Sequence, residues 1–262
     1  MSNDAIWLLG CGNMAGAMLL RWLETGLDAR RVTVIRPSGK PVAPGVRVVT
    51  AVPADDPPPA VLLLGVKPQK LGEVAGMAAG PETTLISILA GATVANLRAA
   101  FPAAGTIVRS MPNTPVALGK GAVALYAPSR TPEAEAVAAM MAPLGLVEWV
   151  EDEPMLDAVT ALSGAGPAFL FRFIDALGAA GADIGLPPEQ AARLALATID
   201  GAAALAVAAG ESPAMLAERV ASPGGATRAG LNILDGEAGL APLISRTLAA
   251  ARQRSAELAR GG

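Results

Sequence analysis

One stretch constrains the fold more than any other: residues 5–24, AIWLLGCGNMAGAMLLRWLE. The apolar run 6–10 reads as a strand, and a helix-period pattern covers 14–25. Only Cys11, Gly12 and Asn13 stand between them. So tight a passage needs one glycine to make the turn and a second where the backbone stays bare. A strand that feeds a helix at once sends the chain back over the sheet, and the next strand then pairs parallel to the first.

The first half continues in that mode. Strand-like runs recur at 32–36, 47–49, 61–66, 84–89, 106–111, 122–127 and 146–150. Helical stretches at 93–100 and 132–142 lie among them, and the Pro-rich segment 51–60 reads as a loop feeding the fourth strand. An uninterrupted apolar run such as VLLLGV implies burial on both faces, as in a parallel sheet. From Glu151 the strands stop and Ala-rich helical sequence takes over, with helices expected at 153–161, 165–183, 188–209, 213–220, 225–236 and 239–259. The expected fold is α/β: an N-terminal Rossmann-like, doubly wound sheet over 1–150, then an all-helical domain over 151–262. Charge divides along the same line, at +2 for 1–150 and −5 for 151–262, within a net charge of −3 over 262 residues.

Composition excludes several classes of function. With no His, a His general base, a catalytic triad and a His metal site are absent. The single Cys, Cys11, excludes an internal disulfide and a Cys-cluster zinc site, so no metal is expected. A pI of about 5.1 disfavours a nucleic-acid partner bound through a basic face. Mean hydropathy is high, at +0.46. The two most apolar long stretches, 161–182 and 191–210, are nevertheless interrupted by Arg172 and Asp175, and by Arg193 and Asp200. They suit buried helices of an assembly better than membrane spans. The N-terminus lacks the pattern of a signal peptide, and a cytoplasmic location is expected.

Gly10-Cys-Gly12-Asn13-Met14-Ala15 matches G-x-G-x-x-A between a strand and a helix. Gly10 would turn the chain, Gly12 would admit a pyrophosphate close to the backbone, and Ala15 would let helix and strand pack. The phosphates would rest on the helix N-terminus. A tight turn without ligand is the alternative. The second strand ends Ile35-Arg36-Pro37-Ser38, without the acid that bonds the ribose of NAD. Arg36 and Ser38 therefore point to NADPH, with NADH the weaker cofactor; a solvated strand-end charge is the plain alternative. Val66-Lys67-Pro68 follows the fourth strand and should border the cofactor, because ligands bind outside the carboxyl ends of the strands. The segment from Arg109 to Pro115 follows the sixth strand and should approach the nicotinamide, unless it is only a rigid connector. In the helical half, Ser222-Pro-Gly-Gly-Ala-Thr227 opens a helix and presents backbone N–H groups to an anion. The alternative is a Gly-rich helix start capped by Thr227.

Together these segments resemble the pyrroline-5-carboxylate reductase family. LLGCGNMAGAM, GVKPQ, SILAGAT, VRSMPNTPVALGKGA, TALSGAGPAF, IGLPPEQA and ERVASPGGATRAGLNIL stand in the family's order between residues 8 and 235. The last is the most specific, whereas the glycine loop is shared by many oxidoreductases. The resemblance implies reduction of 1-pyrroline-5-carboxylate to L-proline. It implies NADPH held by Gly10, Gly12, Asn13, Met14, Ala15, Arg36, Ser38, Val66, Lys67, Pro68, Ala90 and Asn113. It implies substrate bound by Ser222, Gly224, Gly225, Ala226 and Thr227, with Thr227 the catalytic residue. A homodimer through the C-terminal helices is implied, with further assembly commonly to decamers. Ala165 departs from the Ser frequent in relatives, so a hydroxyl there is not essential.

Other readings are a reductase of a related cyclic imine or small acid, and a non-catalytic NADP-binding protein. A β-hydroxyacid dehydrogenase would use a Lys of its helical domain, but the four Lys end at Lys120.

Overall fold

The computed structural model describes residues 4–260. Eight strands, β1 (Ile6–Leu9), β2 (Val32–Ile35), β3 (Arg47–Val49), β4 (Val61–Leu64), β5 (Thr84–Ser87), β6 (Thr106–Pro112), β7 (Gly121–Tyr126) and β8 (Gly145–Trp149), form one sheet in the order β3-β2-β1-β4-β5-β6-β7-β8. Every neighbouring pair is parallel except β6 and β7. Ile6 pairs with Val32 on one side and Val61 on the other, so the strand order reverses beside β1. The expected doubly wound sheet is present, and its strands begin and end close to where the apolar runs do.

Alternate residues build two cores. Leu8, Val34, Leu63, Ile86 and Val108 face one side, where α1 (Asn13–Glu24) brings Met18, Leu19 and Trp22. Trp7, Leu9, Leu62, Leu64 and Leu85 face the other, against Leu97 and Phe101 at α2 (Val94–Ala100). Burial on both faces is why VLLL carries no polar alternation. α3 (Pro132–Met141) adds Ala134, Val137 and Met141 to the first core.

The chain divides into two compact units: Met1–Ala165 with Ala251–Gly262, and Gly166–Ala250. The first runs past the expected boundary at 150. α4 (Met155–Val159) packs Leu156 against Met111 and Ala124 of the sheet, and a π-helical turn follows at Thr160–Gly164. The second unit holds α5 (Gly166–Asp183), α6 (Pro188–Ala209), α7 (Pro213–Val220), α8 (Ala226–Leu234) and the start of α9 (Leu240–Arg260). Small residues close the α5–α6 contact, with Gly178, Ala191 and Ala195 buried. The outer faces stay apolar and open: Phe171 is 66% exposed, Ile184 86% and Val207 87%. By length and composition alone α6 is long and apolar enough to cross a membrane.

The Pro-rich loop before β4 is tied down by Thr83. Its hydroxyl, 1% exposed with its residue, donates to the Pro59 carbonyl at 2.7 Å and accepts from the Gly80 N–H at 3.0 Å. Thr83→Val keeps the shape but orphans both buried backbone groups. It should lower the free energy of unfolding by about 1–3 kcal/mol in a urea titration. Val at the neighbouring Thr84 serves as the control.

Candidate active site

Where the strand order reverses, the exits of β1 and β4 touch. Gly10 turns with φ +81°, and its N–H donates to the Ile35 carbonyl at 2.9 Å. The Gly65 N–H donates to the Leu9 carbonyl at 2.8 Å. A Cβ on Gly65 would lie 2.7 Å from the Gly10 oxygen and 2.8 Å from the Ala15 Cβ. Gly65 is thus as necessary to the loop as Gly10, although the glycine motif does not contain it.

Gly12 differs. Its φ of −81° suits any residue, and a Cβ there would meet nothing within 4 Å. Nothing in the chain itself asks for glycine at this place; a ligand lying on the backbone would. Gly12 is also the N-cap of α1, without a side-chain cap and without an acid in the first turn. The N–H groups of Asn13, Met14 and Ala15 therefore open α1 without helical partners.

Arg36 is half-buried at the end of β2, with its backbone bonded to Val49 and Gly39. Burial pushes the Cys11 thiol up, and the Arg36 charge opposes that shift, so the guanidinium acts on the glycine loop. Among the described residues Arg36 has no carboxylate partner. Ser38 is exposed, and its hydroxyl accepts from the Lys40 N–H at 3.4 Å. Val66 is half-buried, and Lys67 is exposed ahead of a short turn at Pro68–Lys70. A cavity of about 760 Å³ joins Pro68 and Gln69 to Ala90, Gly91 and Asn96.

The segment after the sixth strand departs from expectation in two ways. Antiparallel pairing with β7, from Arg109↔Tyr126 to Pro112↔Val123, carries β6 to Pro112, one residue past the expected run 106–111, so Arg109 and the residues up to Pro112 lie inside the strand and not in the loop after it. It is 6% exposed, and its Nη1 meets Glu153 Oε1 at 2.9 Å. The same oxygen accepts the Val94 N–H at 2.6 Å. Asn113 is buried and turned inward. Its amide donates to the Ser163 carbonyl at 3.0 Å and accepts the Ala122 N–H at 2.8 Å. That side chain ties the loop after β6 to Ser163 and Ala122.

In the second unit, the Gly225 N–H closes a turn on the Ser222 carbonyl at 3.0 Å, and Gly224 has φ +72°. Gly225 is the N-cap of α8, again without a side-chain cap or a first-turn acid. Ala226 and Thr227 are exposed in the first turn, and the Thr227 hydroxyl makes no hydrogen bond among the described residues. Thr227 is therefore not the helix cap. Arg228 next to it is paired with Glu218, which leaves the N–H groups as the positive pole.

Residues 153–258 match a family profile described as pyrroline-5-carboxylate reductase dimerisation. Residues 5–91 match one described as NADP oxidoreductase, coenzyme F420-dependent. The chain is 37% identical to the pyrroline-5-carboxylate reductase of Pseudomonas aeruginosa, over 99% of this chain and 98% of that one. The chain belongs to the pyrroline-5-carboxylate reductase family. A Synechocystis reductase of the family is 41% identical over 76% of this chain and 74% of its own. The solved pyrroline-5-carboxylate reductase of Coxiella burnetii superposes with a TM-score of 0.88 at 30% identity, covering 98% and 99% of the two chains. That of Plasmodium falciparum, solved with NADP bound, gives 0.85 at 25% identity and covers 99% of each. The dimerisation match spans the helices whose apolar faces stand open in the single chain.

The two glycines separate experimentally. Gly12→Ala should leave stability within about 1 kcal/mol of the parent, the range of an N-cap change, yet weaken dinucleotide binding in a calorimetric titration. Gly65→Ala should lower both, because its Cβ displaces the backbone of Gly10.

Proposed function

We propose that this chain carries out the family's reaction through the residues described above. It reduces 1-pyrroline-5-carboxylate to L-proline, the last step of proline biosynthesis. The observation that carries the assignment is the uncommitted Thr227 hydroxyl beside the open N-terminus of α8. NADPH supplies a hydride. The α1 N-terminus receives the pyrophosphate over Gly12, and Gly10, Asn13, Met14 and Ala15 shape that seat. Arg36 and Ser38 take the 2′-phosphate and disfavour NADH. Val66, Lys67 and Pro68 border the cofactor, Ala90 lies toward the nicotinamide, and Asn113 holds the loop there.

The substrate carboxylate docks on the α8 N–H groups, presented by Ser222, Gly224, Gly225 and Ala226. This is an anion site that needs no cation of its own. The Thr227 hydroxyl bonds the ring nitrogen. A cyclic imine basic enough to arrive protonated is already a strong hydride acceptor, so the lack of any His costs the mechanism nothing. What the chain contributes is alignment of donor and acceptor carbons.

In this reading residues 1–150 bind cofactor, and residues 151–262 bind substrate and pair with a second copy. The apolar face of α6 then lies between subunits and not in a bilayer. Further assembly to a decamer and a cytoplasmic location complete the proposal.

NADPH oxidation on adding pyrroline-5-carboxylate tests the reaction, and no turnover would refute it. Arg36→Glu should weaken the use of NADPH far more than that of NADH; equal losses would remove the 2′-phosphate contact.

Thr227→Ala should lower turnover by something like 10²-fold, the low end for positioned proton-transfer groups, while Thr227→Ser keeps most of it. Cofactor affinity should stay nearly constant in both. A Thr227→Ala enzyme with parental kcat and KM would reduce Thr227 to a bystander.

A further inference from the structure

Glu153 belongs to no motif, yet its carboxylate sits at a junction. One oxygen takes the Arg109 guanidinium at 2.9 Å and the first N–H of α2, at Val94, at 2.6 Å. α2 follows the Ala90–Thr93 loop, and β6, which carries Arg109, leads directly into Asn113. Both loops face the nicotinamide in the function proposed above, on which this inference rests. The segment from Glu153 to Ser163 is fastened to β6 and its exit at both ends, by Arg109 at one and by the Asn113 amide at the other. Between these fastenings Leu156 is buried against Met111, and the helix passes into its π turn. The Arg109 side chain is only 7% exposed and that of Glu153 23%, so the arginine bears most of the desolvation cost that an apolar side chain there would avoid. A charge pair whose arginine is buried and whose half-buried carboxylate also grips a helix N-terminus is suited to fixing register more than to adding stability.

We propose that the Arg109–Glu153 pair is a positioning device for hydride transfer: it sets the spacing of the loops after β5 and β6 and so the seat of the nicotinamide ring. Neither residue touches the reacting atoms. The pair acts through Val94 on one loop and through β6 on the other.

The test compares the whole enzyme with Glu153→Gln and with the double variant Arg109→Gln/Glu153→Gln, which leaves no unbalanced buried charge. Turnover, the NADPH dissociation constant, thermal unfolding and the kinetic isotope effect with NADPH deuterated at the transferred position are measured. Glu153→Gln should lower kcat by about ten- to a hundredfold, the cost of a small misplacement. NADPH affinity should hold within about threefold, because uniform binding is not what is lost. The isotope effect should rise toward its intrinsic value as hydride transfer becomes rate-limiting, which a smaller folded fraction alone would not cause. If the single variant does not fold, the double variant should fold and show the same low kcat and raised isotope effect. A folded variant with parental kcat and isotope effect would overturn the proposal. So would a loss of affinity in step with kcat, or a double variant that also fails to fold, since the pair would then be structural only. A parent enzyme that does not reduce the imine would instead bring down the underlying reading.

Discussion

The close approach of two backbones, at Gly10 and Gly65, is the constraint on which the rest of the first unit depends. Parallel strands β1 and β4 run side by side, and their chains must leave the sheet in opposite senses at the same level. Room exists only if neither exit carries a side chain, since a Cβ on Gly65 would press on both the Gly10 oxygen and Ala15. Once that crossing is made, α1 starts within bonding reach of β1, its N-terminus opens over the crevice, and the strands on either side place their own exits around the same point. Gly12 stands beside this crossing but is not required by it. The packing of the chain explains Gly10 and Gly65 but places no such demand on Gly12; in the proposed reading the dinucleotide lies there.

The two units solve burial differently. The sheet unit has apolar cores on both faces and uses buried polar groups, such as Thr83, Arg109 and Asn113, to tie loops and helices to it. The helical unit lacks a comparable core and leaves large apolar side chains on its surface. Its exposed charges are informative: Arg172 pairs with Asp175 at 3.6 Å, and Arg193 reaches Glu189 at 4.0 Å. Charged groups inside a hydrocarbon layer are expensive, whereas the rim of a subunit interface accommodates them readily. In the proposed reading α6 packs against a second copy of the chain, which reconciles its apolar face with its charges.

The layout was legible from the sequence because it follows from periodicity and from glycine placement, both of which are local. The strand at 61–66, the helix at 188–209 and the glycine loop needed no information from elsewhere in the chain. What was not legible is non-local. The expected strand at 106–111 already contains Arg109, but nothing near it in the sequence shows that β7 pairs antiparallel with it. Glu153 lies 44 residues from Arg109, and nothing near it in the sequence marks it as a partner. Asn113 sits in a segment that suggested ligand contact, and only the position of Ser163 shows what its amide holds. Thr227 was ambiguous for a different reason. A first-turn threonine can cap a helix or leave its hydroxyl free, and sequence does not distinguish rotamers.

The treatment of helix starts bears on how a chain with no His and few charges can receive two anions. α2, α3 and α7 are capped in the ordinary way, by the side chains of Thr93, Thr131 and Ser212. α1 and α8 are not. Each begins on a glycine N-cap, Gly12 or Gly225, with the same φ of −81°, no side-chain acceptor and no acid in its first turn. A Ser or Asp at either place would stabilise its helix by about a few tenths of a kcal/mol, and its oxygen would occupy the N–H groups that an incoming anion needs. Omitting the cap leaves that positive pole for the ligand. In the proposed reading the pyrophosphate completes α1 and the substrate carboxylate completes α8. Binding then supplies the capping interaction that the sequence withholds, and it does so without placing a cation beside an iminium that must stay protonated.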